Sequence, residues 1–166
     1  KVGGRESEGL AQQEIAADFV ASMLPDTIYF MGSGQTVAAI MATLGLANTL
    51  LGVDVIRNHE VLQHDVTSLD LLKWTTQGPC RIVVTVIGGQ GHVFGRGNQQ
   101  FSPKVIRAVG LPAIEVVATK TKLEGLASAF VVVDTGDRDL DVALSGVRRI
   151  RTGYHDAVLM RWGTPG

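Results

Sequence analysis

The run Arg81-Ile82-Val83-Val84-Thr85-Val86-Ile87 constrains this chain more than any other segment, because its apolar residues follow one another with no polar face to present to water. Such a run reads as a strand buried on both sides, the kind found in parallel sheets covered by helices. Directly behind it comes Gly88-Gly89-Gln90-Gly91-His92-Val93-Phe94-Gly95-Arg96-Gly97-Asn98-Gln99-Gln100, with five glycines, one arginine and amide side chains. Ser102-Pro103 then opens a helix with an N-cap and a proline in its first turn. Open α/β sheets bind their ligands where a strand's carboxyl end runs into the next helix. Glycines at such a place let backbone N–H groups approach an anion, and Arg96 offers a planar fork for phosphate or carboxylate. The plain alternative is a long connection whose amides satisfy only their own backbone, but loops of this length tend to be functional.

The rest of the chain repeats the same rhythm. Apolar positions from Leu10 to Met23 recur at helical spacing up to Pro25-Asp26, after a polar segment, residues 1–8, that reads as a linker or frayed lead-in. Strands are expected at Thr27–Met31, Leu50–Ile56, Ile82–Ile87, Ile114–Ala118 and Phe130–Asp134. Helices are expected at Thr36–Leu44, Val66–Trp74, Pro103–Val109, Lys120–Leu126 and Asp139–Leu144, and Val147–Ile150 with Ala157–Trp162 reads as a closing edge hairpin. The pattern predicts an α/β fold: a mostly parallel, doubly wound sheet of about five strands flanked by helices, in a single domain over residues 9–166.

Composition excludes several classes of partner. With 15 Lys and Arg against 16 Asp and Glu, there is no basic field of the kind that draws a protein to nucleic acid. The four histidines show no metal-ligand spacing, and no apolar run reaches the roughly 20 residues that span a bilayer. A single cysteine, Cys80, suits a reducing compartment, so a cytoplasmic location is expected. Because the sequence starts at Lys1 rather than methionine, it is expected to be part of a longer protein.

Further constellations lie where the rhythm puts strand ends. Gly32-Ser33-Gly34-Gln35-Thr36 supplies glycines and hydroxyls at a helix N-terminus, where free N–H groups favour an anion, although Thr36 also suits a simple cap. It meets neither the dinucleotide fingerprint nor the P-loop pattern. Asp54, at a strand end, suits a ribose hydroxyl or a cationic neighbour, while Asp65 reads as the cap of the next helix. Thr119, Lys120 and Lys122 follow one later strand and Asp134, Thr135 and Asp137 another. The lysines suit phosphates, and Asp134 and Asp137 suit a hydrated magnesium ion or sugar hydroxyls, with solvated lysines and an Asp137 N-cap as the structural alternatives. His92, inside the glycine run, suits either a general base or a donor to a backbone carbonyl. Trp74, Phe94 and Trp162 are isolated and read as core or interface residues.

Taken together, Thr49-Leu50-Leu51-Gly52-Val53-Asp54, the glycine run, Ala118-Thr119-Lys120 and Val133-Asp134-Thr135-Gly136-Asp137 resemble the carboxyl-terminal half of the ATP-NAD kinase-like proteins, a group that includes bacterial members placed with the acetoin-catabolism protein AcoX. The resemblance runs from about Gly4 to Trp162. It implies transfer of a phosphoryl group from ATP to the 2′-hydroxyl of the adenosine ribose of NAD, with magnesium, and commonly a homo-oligomer. It also implies an amino-terminal kinase half as partner, because the Gly-Gly-Asp-Gly-Thr signature that carries the family's catalytic aspartate does not occur here. A second departure is the alternation of helix and strand, where the family's carboxyl-terminal half is mainly a β-sandwich. The competing readings are a phosphosugar or nucleotide sensor without turnover and a mainly structural half that drives self-association.

Overall fold

The computed structural model describes residues 4–165, so Lys1, Val2 and Gly3 of the expected linker lie outside the described residues. Helix α1 (Gly4–Ser22) takes in the remainder of that segment, and it buries Ile15, Ala16 and Phe19. There follow β1 (Ile28–Met31), α2 (Gln35–Thr43), β2 (Asp54–Arg57), β3 (Glu60–Gln63), α3 (Ser68–Trp74) and β4 (Cys80–Val84). The second half comprises β5 (His92–Phe94), α4 (Pro103–Val109), β6 (Ile114–Val116), α5 (Lys120–Glu124), β7 (Val131–Val133), α6 (Arg138–Leu144), β8 (Gly146–Gly153) and β9 (Asp156–Gly163). No helix among the described residues is long and apolar enough to cross a membrane.

The expected alternation is present, but it builds two sheets. One has five strands in the order β3-β2-β1-β4-β6, the other four in the order β5-β7-β9-β8. Parallel pairings join β1 to β4, β4 to β6, β5 to β7 and β7 to β9, while β1–β2, β2–β3 and β8–β9 are antiparallel. Two hairpins explain the antiparallel part. Asn58 and His59 both take positive φ, 50° and 63°, the backbone of a tight two-residue turn, and the chain returns as β3 before it enters α3. At the other end β8 and β9 form the edge hairpin that the sequence pattern anticipated.

The second sheet originates inside the glycine run. The backbones of Ile87 and His92 exchange both hydrogen bonds, each 2.8 Å, and Gly91 N–H donates to Gly88 O at 3.2 Å. The chain therefore doubles back at Gly88–Gly91, and β5 leaves the first sheet to pair with β7. Gly95 ends β5 with φ 101°, and a Cβ built there would lie 1.9 Å from Asp134 O, so only glycine fits.

Both faces of β1 and β4 are buried, as the apolar run requires. Ile28, Phe30, Ile82 and Val84 face a core shared with Val93, Phe94, Val131, Ile150 and Trp162, whereas Tyr29, Met31 and Val83 face the layer made by α1 and α2. That helical layer is fixed to the sheets by a buried cation. Arg151 of β8, 8% exposed, places Nη1 2.5 Å from Asp18 Oδ2 on α1 and Nη2 3.1 Å from Glu115 Oε1 on β6. Its guanidinium also sits 5.3 Å from the centre of the Phe19 ring. Burial pushes the Asp18 carboxyl up, but the His155 amide and the Arg151 guanidinium outweigh it and hold the group below its ordinary range. Removing one partner of such a group strands the others, so Arg151→Ala is expected to lower the unfolding free energy by about 3–5 kcal/mol in urea titrations. A loss under about 1 kcal/mol would show that water satisfies the two carboxylates.

Candidate ligand cleft

Strands β1 and β4 run side by side in parallel, so the turns that leave their carboxyl ends meet. Gly32 N–H donates to Val83 O at 2.9 Å, and the chain then passes through Ser33 and Gly34 into α2. The helix is capped by Gly34, φ 109°, with no side-chain hydrogen bond, and Thr36 is not the cap. Its first-turn amides are thus not covered by a side-chain cap, which is the arrangement that suits an anion. Glycine is required here by the neighbouring strand, since a Cβ on Gly34 would come within 2.4 Å of Thr85 Cγ2. The two glycine segments touch where Ser33 Oγ donates to Gly97 O at 3.2 Å.

Two lobes of a cleft open beside these turns. The smaller, about 230 Å³, is lined by the polar side chains of Glu8 and Gln12 of α1, Gln35 and Thr36 of α2, Thr85 and Lys122, with Gly88 and the apolar Val86 and Ile87. The larger, about 500 Å³, is lined by Ser33, Ala38, Leu50, Leu51, Ile87, Gly97, Gln99 and Gln100, and so has apolar walls with amides at one end. Gly34, Gln35 and Ile87 belong to both lobes. Thr119 reaches the smaller lobe indirectly, donating from Oγ1 to Glu8 Oε2 at 2.8 Å while it caps α5 through Lys122 N–H. Arg96 is exposed, with its stem beside Gly88.

Other candidates are held elsewhere. Asp54, 1% exposed, accepts from Thr49 N–H at 2.7 Å, Thr49 Oγ1 at 2.6 Å and Asp65 N–H at 2.9 Å, with His64 Nδ1 at 3.3 Å. Its carboxylate thus organises the loop before its own strand. Asp65 is not a helix cap, because Thr67 caps α3 in a reciprocal box with Asp70. Asp137 caps α6 through Leu140 N–H and takes both Arg107 nitrogens, at 2.7 and 3.0 Å. Thr135 donates from Oγ1 to Asp141 Oδ1 at 2.6 Å, and Asp134 N–H donates to Phe94 O at 3.2 Å. Lys120 Nζ lies 2.8 Å from Asp156 Oδ2 at the β8–β9 turn.

Much of the glycine run serves the backbone. Gly89 O accepts from Ala127 N–H, Gly91 O accepts from Val132 N–H, and Gln90 stands exposed at the hairpin tip. Asn98 is buried and donates from Nδ2 to Val93 O at 2.7 Å. His92 is buried as a strand residue, its Nδ1 without a hydrogen-bond partner among the described residues. No group of three or more His, Cys, Asp or Glu among the described residues is arranged to hold a metal ion, and the Asp137 carboxylate is engaged by Arg107.

Eight lining residues escaped sequence reasoning: Ala38, Thr85, Val86 and Ile87, together with Glu8 and Gln12, placed in a linker and on a helix, and Leu50 and Leu51, placed in a strand. The strand starts only at Asp54, which leaves the two leucines 76% and 82% exposed. Adjacent leucines between Thr49 and Gly52 carry no period-2 polar partner, and that irregularity was the available signal.

Fold and cleft together define an α/β domain whose crevice lies at the carboxyl ends of adjacent parallel strands. Residues 24–162 match the family described as the ATP-NAD kinase C-terminal domain, and the chain belongs to that family. No curated protein and no solved structure matches it.

The loop built on Asp54 gives a pH-dependent test. Burial pushes this carboxyl up, but the Thr49 hydroxyl and amide, the Asp65 amide and His64 lower it overall. A carboxyl held below its unfolded value stabilises the fold above the ordinary range near pH 4 and loses that contribution as pH falls through the folded value. Asp54→Asn is therefore expected to cost about 1.5–3 kcal/mol at pH 7 and less at pH 3, read by urea unfolding at both. An equal cost at the two pH values would contradict this account.

Proposed function

We propose that this chain is the nucleotide-facing carboxyl-terminal domain of an NAD kinase-like protein related to the AcoX group, and that it contributes substrate binding to ATP-dependent phosphorylation of NAD. The observation that carries this reading is the two-lobed cleft whose halves share Gly34 and Gln35, the N-cap and first residue of α2, with Ile87. A diphosphate bridge suits the junction, where helix amides face outward. A base suits the lobe walled by Leu50, Leu51 and Ile87, whose Gln99 and Gln100 amides offer donors and acceptors to its edge. Lys122, with Arg96 beside Gly88, adds the cations that phosphate requires.

Phosphoryl transfer is chiefly positioning and charge neutralisation. In this reading the domain holds and orients NAD, and an amino-terminal half bearing Gly-Gly-Asp-Gly-Thr completes the site. Magnesium belongs to the family's chemistry, but no step here is assigned to it through these residues.

Calorimetric titration of the chain with NAD, ATP and ribose 5-phosphate tests the proposal. NAD is expected to bind, and Lys122→Ala or Arg96→Ala to weaken it roughly tenfold, the size of one charge-assisted hydrogen bond. Fusion to a segment bearing the absent signature is expected to yield NADP from NAD and ATP. Binding of ribose 5-phosphate with no binding of NAD would replace this reading by a phosphosugar sensor.

A further inference from the structure

We infer that Glu8 is the hydroxyl-recognising residue of the cleft, accepting a hydrogen bond from a pentose hydroxyl in the smaller lobe. The inference rests on the reading of the cleft as a nucleotide site and adds to it a residue and a ligand group.

Glu8 projects from the second turn of α1 into the polar lobe. One carboxylate oxygen, Oε2, is fixed by Thr119 Oγ1 at 2.8 Å, and Thr119 is itself 1% exposed and held as the cap of α5. The other, Oε1, is buried and has no hydrogen-bond partner among the described residues. A buried carboxylate oxygen without a donor is costly, and the cost is removed when a donor arrives. The carboxylate is also preorganised, because Thr119 fixes one oxygen and burial holds the other.

The charge of the group selects its ligand. Phosphate brings only acceptors and negative charge to a carboxylate, whereas a sugar hydroxyl brings an O–H donor and no charge. Thr36 and Thr85 line the same lobe, and their hydroxyls suit the remaining oxygens of a sugar. At about 230 Å³ the lobe is smaller than a pocket for a whole drug-sized ligand and fits one ring of a larger molecule.

The test is calorimetry on the full chain as wild type, Glu8→Gln and Glu8→Ala, with NAD, ribose 5-phosphate and its 2-deoxy and 3-deoxy analogues. Thermal unfolding of each variant is measured alongside. Glutamine keeps the shape and the bond to Thr119 but turns an N–H₂ toward the ligand, so NAD is expected to bind roughly tenfold more weakly to a folded Glu8→Gln. Wild type is expected to prefer ribose 5-phosphate over at least one deoxy analogue by about fivefold or more, and the variants to lose that preference, which a merely structural role would not cause. Equal NAD affinity in wild type and folded Glu8→Gln, or a wild type indifferent to both hydroxyls, overturns the role of Glu8 and leaves the nucleotide reading standing. Ribose 5-phosphate bound with Glu8-dependent preference but no binding of NAD overturns the nucleotide reading and retains the role of Glu8.

Discussion

One buried guanidinium holds this architecture in register. Arg151 sits where the second sheet approaches the first, its strand bridging to Val117 beyond β6 and its carbonyl accepting from Ala118 N–H at 3.0 Å. From there it reaches Asp18 on α1 and Glu115 on β6, and Glu115 also meets Arg81 of β4 at 3.6 Å. Three layers are thus tied through one side chain. The cleft shares in this constraint, because α1 brings Glu8 and Gln12 to it, and α1, packed on α2 through Ile15, Ala16 and Phe19, is tied to β8 through the hold of Asp18 and Phe19 on Arg151. A buried ion group of this kind is weak evidence of net stability but demands one geometry, since any displacement strands a charge.

The glycine run shows how one sequence signal serves two structural needs. Read as a loop, it looked like a continuous cradle for an anion. In the fold its first third is a hairpin turn, its middle is strand β5, and only Gly88, Gly97, Gln99 and Gln100 line the cleft. Period-2 reading missed β5 because a strand of three residues between glycines carries no detectable alternation. The same strand accounts for the second sheet: once Ile87 and His92 pair, the chain leaves β4 and must find β7.

Elements with strong local physics were legible. The Ser102-Pro103 start of α4, the Asp137 cap of α6 and the closing hairpin all follow from capping and turn chemistry acting within a few residues. The candidate site was legible only at the turn after β1 and in parts of the glycine run, where backbone geometry advertises itself. Asp54, Thr135 and Asp137 looked alike in sequence as free carboxylates and hydroxyls after strands. Their partners, Thr49 and Asp65 in one case and Arg107 and Asp141 in the other, are tertiary facts or depend on loop conformation. Glu8 illustrates the converse, since its partner Thr119 lies 111 residues away and no local pattern connects them.

The order of charge along the cleft bears on which nucleotide the proposed function requires. Its middle carries the α2 first turn, favourable to anions; the smaller lobe is lined by the Glu8 carboxylate and by Lys122; the larger has apolar walls, with two exposed leucines. A ligand matched to this order has its negative charge in the centre and no negative charge at either end. NAD has that arrangement, with a diphosphate between two nucleosides. ATP does not, because its triphosphate lies at one end and would have to run into either a carboxylate or a hydrocarbon wall. Discrimination of this kind works as much by repulsion as by attraction, and under the proposed function Glu8 and Leu51 would be its repulsive elements. On that proposal the cleft suits the acceptor of the reaction better than the donor.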